Sequence, residues 1–491
     1  MPLIKSISGI RGTIGDKLGE DLTPIDVVKF TSAFATLIAE GRKEKGEGRR
    51  EKIIDNSQFS ILNSQFSILI GRDARISGAF LNQIVSTTLQ KMGVDVIDVG
   101  LSTTPTVEMA VVKHGADGGI ILTASHNPME WNALKLLNEK GEFISAAEGQ
   151  RLLEIAEKED FIYASEKQQG SYTKYEHAIE DHINEILKLD LVDVSAIHAA
   201  GFSVIFDAVN STGGIAIPLL LEKLGVKKYK ALFGEPTGIF PHNPEPLPEN
   251  LHEISSVMRN EMSDKNNSQF SILNSQFYDV GFVVDPDVDR LAIVMENGEM
   301  FGEEYTLVAI ADYVLQHKKG STVSNLSSTK ALRDVSEKYG VTYSASTVGE
   351  VNVVEKMKET NAVIGGEGNG GIIFPELHYG RDALVGIALF LSFMAKSKLR
   401  CSEIKALYPN YVISKNKIEL TKEMNIQEIL QKMVQQFAAL NPNTIDGVKI
   451  DFEQGWVHLR PSNTEPIIRI YAEARNEAEA ERLVSEIKRM L

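Results

Sequence analysis

Gly118-Gly119-Ile120-Ile121-Leu122-Thr123-Ala124-Ser125-His126-Asn127-Pro128 is the stretch from which the fold is read. An apolar run, Ile120 to Leu122, stops at small and polar residues, and Pro128 keeps a helix from starting ahead of it. The pattern predicts a buried strand that delivers Ser125 onto a tight loop at its carboxyl end. In open α/β sheets that end of the strands is where ligands bind. A serine hydroxyl is a poor nucleophile until a neighbour activates it, and a turn serine bonded to its own backbone fits the same residues. The rest of the chain decides between the two readings.

With 491 residues the chain is too long for one hydrophobic core, which predicts three or four domains. Hydrophobic residues at 43% and charged residues at 24% are ordinary for a globular enzyme. A formal net charge of -16 opposes nucleic acid as a partner, because phosphate backbones are bound by basic surfaces. A small anionic substrate stays compatible if arginines gather locally. One cysteine, Cys401, excludes an internal disulfide and suits a reducing cytoplasm. Met1 to Ser6 has no signal-peptide core and no run of ~18 apolar residues occurs, so a cytoplasmic protein with no membrane contact is expected.

Towards the N-terminus, Ser8-Gly9-Ile10-Arg11-Gly12 holds one arginine between glycines. Glycines admit close backbone approach to a ligand and arginine suits phosphate, while a plain structural turn accounts for the same residues. Thr23-Pro24-Ile25-Asp26 opens a helix whose core face is Val27, Val28, Phe30, Phe34, Leu37 and Ile38, with Gly41 as its end. Then Asn56-Ser57-Gln58-Phe59-Ser60-Ile61-Leu62 repeats as Asn63 to Leu69, and returns as Asn267 to Leu273 with the fragment Asn274 to Phe277. Too few units for a solenoid, these read as inserted repeats forming surface loops or extending edge strands. Helix and strand patterns alternate from there to the Ser125 loop, as in an α/β domain. Asn132 and Lys135 follow closely enough to share its pocket, Lys135 as a solvated charge, a proton carrier or a phosphate clamp.

A second α/β pattern starts at Phe202 and reaches the strand Tyr278 to Val284, which ends in Asp285-Pro286-Asp287-Val288-Asp289-Arg290. Three aspartates at alternate positions, between apolar strands that draw the loop inward, need a counter-cation; magnesium prefers such oxygen ligands. Asn297-Gly298 predicts a hairpin turn. A third unit, about Tyr305 to Lys398, carries Thr347-Val348-Gly349-Glu350 and Gly365-Gly366-Glu367-Gly368-Asn369-Gly370-Gly371. One carboxylate and one amide on a glycine-rich loop suit vicinal sugar hydroxyls. With no helix start directly after it, it is no dinucleotide loop. In the last segment, Arg460-Pro461-Ser462-Asn463-Thr464-Glu465-Pro466-Ile467-Ile468-Arg469 sets hydroxyls and an amide between two arginines, a plausible phosphate nest. An amphipathic helix, Glu477 to Leu491, closes the chain.

Together these loops resemble those of the α-D-phosphohexomutases, over nearly the whole chain apart from the repeats. The resemblance implies four domains around a central cleft, with boundaries placed at 1–170, 171–300, 301–402 and 403–491. The first three would be similar three-layer α/β units with mixed sheets, the fourth a smaller α+β cap. It assigns Ser125 as the phosphorylated residue and metal ligand, Asp285, Asp287 and Asp289 as Mg²⁺ ligands, and Arg11, Lys135 and Arg290 as catalytic. Substrate would meet Glu367, Asn369, Thr347, Gly349 and Glu350, and its phosphate Arg460, Ser462, Asn463, Thr464 and Arg469. The implied reaction moves phosphate between O6 and O1 of a hexose phosphate through a 1,6-bisphosphate, in a monomer or homodimer.

Three positions depart from common family patterns. Val288 stands where a small residue is frequent. Gly371 stands where many gluco- and mannomutases carry a histidine, a role either unfilled or supplied from elsewhere, with His378 as a candidate. Glu350 resembles the glucosamine mutases, and a carboxylate there favours a 2-ammonium substrate. Phosphogluco- or phosphomannomutase activity, a magnesium-dependent sugar phosphatase and a non-catalytic sugar-phosphate sensor are the alternatives.

Overall fold

A computed structural model describes residues 3–6, 9–15, 17, 19–44, 66–259, 277–419, 424–461 and 467–490. Four sheets follow one another along the chain. The first runs Ile4–Ser6, Gly9–Thr13, Trp131–Leu137, Gly118–Leu122, Ser67–Arg72, Asp95–Leu101, Tyr172–Lys174. Its last strand lies just beyond the boundary at 170. The second is ordered Leu291–Met295, Val280–Val284, Ser203–Asp207, Lys228–Leu232, and the third Tyr343–Ser346, Thr322–Asn325, Ile364–Glu367, Gly371–Ile373. All three mix parallel and antiparallel pairs. The fourth, Val412–Glu419, Ile467–Ala474, Gly455–Pro461, Val448–Phe452, is antiparallel throughout.

Period-2 alternation sends side chains to both faces of each α/β sheet. Ile68 and Ile70 join one apolar cluster while Leu69 joins another across the sheet. Val204 and Phe206 oppose Ile205, and Ile372 opposes Ile373, in the same way. Helices therefore cover both faces, giving three layers. One cluster runs without a break from Ile179 to Tyr408, so the second and third units share a core. The fourth sheet packs one face on its own helices, including Glu477–Met490, through Leu483, Val484 and Ile487.

The three α/β units repeat one device. A buried strand, Gly118–Leu122, Val280–Val284 or Ile364–Glu367, ends in a loop and returns as an antiparallel neighbour. Those connections are the Ser125, aspartate and Glu367 loops.

Several expectations change. Gly41 does not end the first helix, which runs Pro24–Glu44; one glycine inside a long, well-buried helix is tolerated. Gly9 (φ 121°) serves strand packing, because a Cβ there would sit 2.3 Å from the Leu134 carbonyl oxygen. The second repeat is no surface loop at its end: Ser67–Leu69 belong to a strand between Gly118–Leu122 and Asp95–Leu101, with Phe66, Ile68 and Leu69 buried. Phe277, in the later fragment, is 74% exposed. The other repeat residues, 56–65 and 267–276, lie outside the described residues. Among the described residues no helix is long and apolar enough to cross a membrane.

Candidate active site

Ser125 sits in the left-handed region at φ 48°, a conformation a non-glycine residue adopts only under constraint. Arg75 supplies much of that constraint. Fully buried, it donates from Nη2 to the carbonyls of Ser125 (2.5 Å) and Asn127 (2.7 Å), and from Nη1 to those of Pro128 (2.6 Å) and Trp131 (2.9 Å). Its Nε pairs with Asp73 (3.0 Å), whose same oxygen accepts from Thr123 Oγ1 at 2.7 Å. Thr123 Oγ1 in turn accepts from the Ser125 amide at 2.9 Å. The serine loop thus rests on a buried Asp73–Arg75 platform.

Across the cleft, Ser125 Oγ donates to Asp285 Oδ2 at 2.7 Å. Asp285 Oδ1 folds its own loop by accepting from the amides of Asp289 and Arg290. Val288 turns the loop at φ 62°, strained for a β-branched residue and held by burial in the shared core. A small residue there would relieve the backbone. Asp285, Asp287 and Asp289 are fully buried, and one carboxylate oxygen from each lies within 4.8 Å of the others. Asp287 Oδ2 accepts from Thr104 Oγ1 (2.6 Å) and Lys135 Nζ (2.7 Å), and Asp289 Oδ2 accepts from Lys135 at 3.3 Å. Asp287 Oδ1 and Asp289 Oδ1 are buried with no hydrogen-bond partner.

The electrostatics express the same need. Burial, then Asp289 and Asp287, push Asp285 well above the usual carboxylate value. Asp287 suffers the same burial, but Lys135 outweighs it and holds Asp287 low. Burial opposes the charge on Lys135, yet Asp287 and Asp289 raise it above the ordinary lysine value, so this amine is a fixed cation. Converging hard oxygens, two of them unsatisfied, with one partner driven toward protonation, fit a divalent cation of the magnesium type.

Arg381 joins the second and third units. Nη2 donates to Asp289 Oδ2 (2.7 Å), Nη1 to Glu367 Oε2 (3.0 Å), and Nε and the backbone amide to the two oxygens of Glu350 (3.1 and 2.8 Å). Glu367 Oε1 also accepts from Asn325 Nδ2 at 3.0 Å and the Gly349 amide at 3.2 Å. Asn369 Oδ1 closes the hairpin by accepting from the Gly371 amide. Glu350 is therefore not a free carboxylate facing a ligand; Arg381 occupies both its oxygens. Thr347 lies beside Val348, whose amide donates to Asp446 Oδ2 of the fourth domain at 2.9 Å.

Arg460 Nε pairs with that same Asp446, at 3.1 Å to Oδ1. Arg460 and Arg469 are direct cross-strand partners, so both face one side at the mouth of the connecting loop. Ser462, Asn463 and Thr464, on that loop, lie outside the described residues. Arg290 contacts Glu245 at 3.6 Å and Asp289 at 4.0 Å, and its Nε has no hydrogen-bond partner. Arg11 likewise keeps a buried Nε without one; it lies on the strand paired with the one that carries Lys135. Asn132 stands apart from the site, donating to Ser77 Oγ at 2.9 Å. His378 does not fill the position opposite Gly371, since its nitrogens face Glu108 and Asp382.

Arg381, Arg75 and Thr104 were invisible in the sequence because their partners are distant along the chain. His126 carries no signal of a role in the linear pattern. Its Nδ1 lies 3.3 Å from Ser125 Oγ, and burial, aided by Arg290, depresses it well below the ordinary histidine value. It is a neutral imidazole beside the candidate nucleophile.

Four domain models of phosphoglucomutase/phosphomannomutase match in order: α/β/α domain I at residues 54–163, domain II at 180–298, domain III at 302–411 and the C-terminal domain at 417–490. The chain is 33% identical to a phosphoglucomutase/phosphomannomutase of Thermococcus kodakarensis, covering 96% of this chain and 94% of that one. It is 30% identical to a phosphoglucosamine/phosphogalactosamine mutase of Sulfurisphaera tokodaii, covering 98% of each. A Burkholderia thailandensis phosphoglucomutase/phosphomannomutase family structure superposes with a TM-score of 0.79 at 24% identity, covering 100% of this chain and 97% of that one. With four domains matched in order and serine, aspartate and glutamate loops meeting in one cleft, the chain belongs to the phosphoglucomutase/phosphomannomutase family of mutases.

Proposed function

We propose that this enzyme moves a phosphoryl group between O6 and O1 of a hexose phosphate through a phosphorylated Ser125 and a hexose 1,6-bisphosphate, with glucosamine phosphate preferred. The observation that carries the reading is the 2.7 Å contact of Ser125 Oγ with Asp285, made from a strained backbone. Nothing in the packing of a turn serine requires that juxtaposition.

Phosphoryl transfer depends on positioning and charge neutralisation more than on covalent chemistry by the protein. Asp285, Asp287, Asp289 and the phosphorylated Ser125 would hold Mg²⁺, which when bound neutralises charge on the transferring group. In the first transfer the sugar hydroxyl bonds to phosphorus as the P–Oγ bond breaks, and the proton the hydroxyl loses is balanced by the one Oγ takes up. In the second, Oγ attacks the other phosphate and gives its proton up, the bond from phosphorus to the sugar oxygen breaks, and that oxygen leaves as a hydroxyl. His126 Nδ1, neutral and 3.3 Å away, is placed to take and return it. Lys135, Arg11 and Arg290 are cations that stabilise the transferring charge. Arg460 and Arg469, with Ser462, Asn463 and Thr464, hold the phosphate at rest. Glu367, Asn369, Thr347 and Gly349 orient the sugar.

Glu350 and Glu367 share the single guanidinium of Arg381, whose third partner, Asp289, is also paired with Lys135. The excess of negative charge favours a 2-ammonium sugar through the local field rather than a direct salt bridge. We expect kcat/KM for glucosamine 6-phosphate to exceed those for glucose 1-phosphate and mannose 1-phosphate by about tenfold. A preference for either of the latter makes the enzyme a phosphogluco- or phosphomannomutase. The primary test is intact mass. Wild type incubated with hexose 1,6-bisphosphate should gain one phosphate, and Ser125→Ala none, with interconversion lost. Full mutase activity in the folded Ser125→Ala protein refutes the mechanism; net release of inorganic phosphate identifies a phosphatase.

A further inference from the structure

Beneath the cleft, a second cluster belongs to none of these steps. His182 Nε2 and His378 Nε2 lie 2.9 and 3.4 Å from Asp382 Oδ2, all at one point in the interior. We propose that His182, His378 and Asp382 form a binding site for a zinc-type transition-metal ion, distinct from the three-aspartate loop.

The spacing suits a metal. Ligands at about 2.0–2.1 Å in tetrahedral array stand about 3.3 Å from one another, close to the two separations observed. Each imidazole is also supported on its far nitrogen, as metal-bound histidines are. His182 Nδ1 lies 2.9 Å from Thr106 Oγ1, and His378 Nδ1 lies 3.2 Å from Glu108 Oε2. That leaves both Nε2 atoms turned toward the same carboxylate oxygen. The other oxygen, Asp382 Oδ1, is anchored by the amides of Leu384 and Val385 at the start of the helix Ala383–Ser397.

An independent observation is Glu108. Only 2% exposed, it meets His378 Nδ1 through Oε2 at 3.2 Å, while its Oε1 has no hydrogen-bond partner. Such a carboxylate is costly in the interior, and a cation bound next to its histidine partner offsets that cost. A cavity of about 340 Å³ lined by Glu108, His182 and His378 opens beside the cluster. Two nitrogens and one oxygen favour zinc, cobalt or nickel over magnesium.

The ion would tie together the helices Thr104–His114 and Ala178–Ile186 and the start of Ala383–Ser397. Thr104 grips Asp287, and Arg381, next to Asp382, grips Asp289, Glu350 and Glu367. The site would therefore be a structural clamp under the catalytic cleft.

The test uses full-length protein stripped with a chelator, then saturated with Mg²⁺ and titrated with Co²⁺. One equivalent should produce visible ligand-field bands of nitrogen-ligated, four-coordinate cobalt, abolished by one equivalent of Zn²⁺. Asp287→Asn should keep the bands; His378→Gln and Asp382→Asn should lose them, with circular dichroism verifying that each variant is folded. Bound Zn²⁺ should also raise the melting temperature of the stripped wild type. Absence of bands in Mg²⁺-saturated wild type, or their loss in Asp287→Asn alone, overturns the proposal. Because no readout is mutase activity, failure here leaves the phosphoserine mechanism untouched.

Discussion

Arg75 is buried to 1% exposure and makes five side-chain hydrogen bonds, four of them to loop carbonyls around Ser125. Lysine keeps the charge but not the planar fork. Arg75→Lys should therefore lose about 3 kcal/mol, the scale of breaking a buried ion pair. A denaturant melt would measure it, and kcat should fall because the Ser125 backbone is no longer held. His126→Gln keeps bulk and removes the base, so kcat should drop ~10²-fold or more with little change in melting temperature. Ser125 and the three aspartates were legible in the sequence because each sits in a local pattern whose chemistry is carried by neighbours. Arg75 and Arg381 were not: the carbonyls that Arg75 holds lie 50 to 56 residues away, and the partners of Arg381 up to 92. Glu350 was found, but its pairing with Arg381 depends on a hairpin thirty-one positions on, so the sequence exposed a charge that the fold neutralises.

At the scale of elements, the Glu367 hairpin leans on the aspartate loop through Gly370. Its carbonyl accepts from the Leu291 amide at 3.0 Å, and at φ 84° a Cβ would stand 2.4 Å from the Leu291 carbonyl oxygen. Gly370→Ala should cost about 1–3 kcal/mol and raise KM, because it pries the sugar loop from the strand that follows Asp289. Lys449, on the strand Val448–Phe452, reports on how the fourth domain docks. It donates to the Leu326 carbonyl at 2.7 Å, packs over Trp456, and burial pushes it down to about 8. A lysine depressed in the folded state contributes stability above its unfolded value, and that contribution is lost as pH falls through about 8. Stability should thus rise between about pH 8 and the ordinary lysine value, and Lys449→Met should remove that rise in a pH series of melts. Strands and loops were readable here from alternation and turn chemistry. The burial of Phe66 and the exposure of Phe277 were not, since one repeated heptad supplies both and only the neighbouring strands differ.

For the whole molecule, the apolar cluster from Ile179 to Tyr408 makes the second and third units one cooperative body, whereas the fourth has a core of its own. Residues 171–300 expressed alone should fail to fold, while 412–490 should give a dispersed amide spectrum. Four independent calorimetric transitions would contradict this. Four domains in order could be read from the linear pattern; their fusion could not, because a shared core is a property of faces and not of segments. The placement of the final repeat has a consequence for inheritance. Whichever unit comes last supplies Phe66 to Leu69 to the interior, so gain or loss of whole seven-codon blocks upstream leaves the same letters at that place. Array length is free to drift between lineages as long as the terminal copy keeps its spelling, and mutations that alter it should be purged while those in earlier copies accumulate.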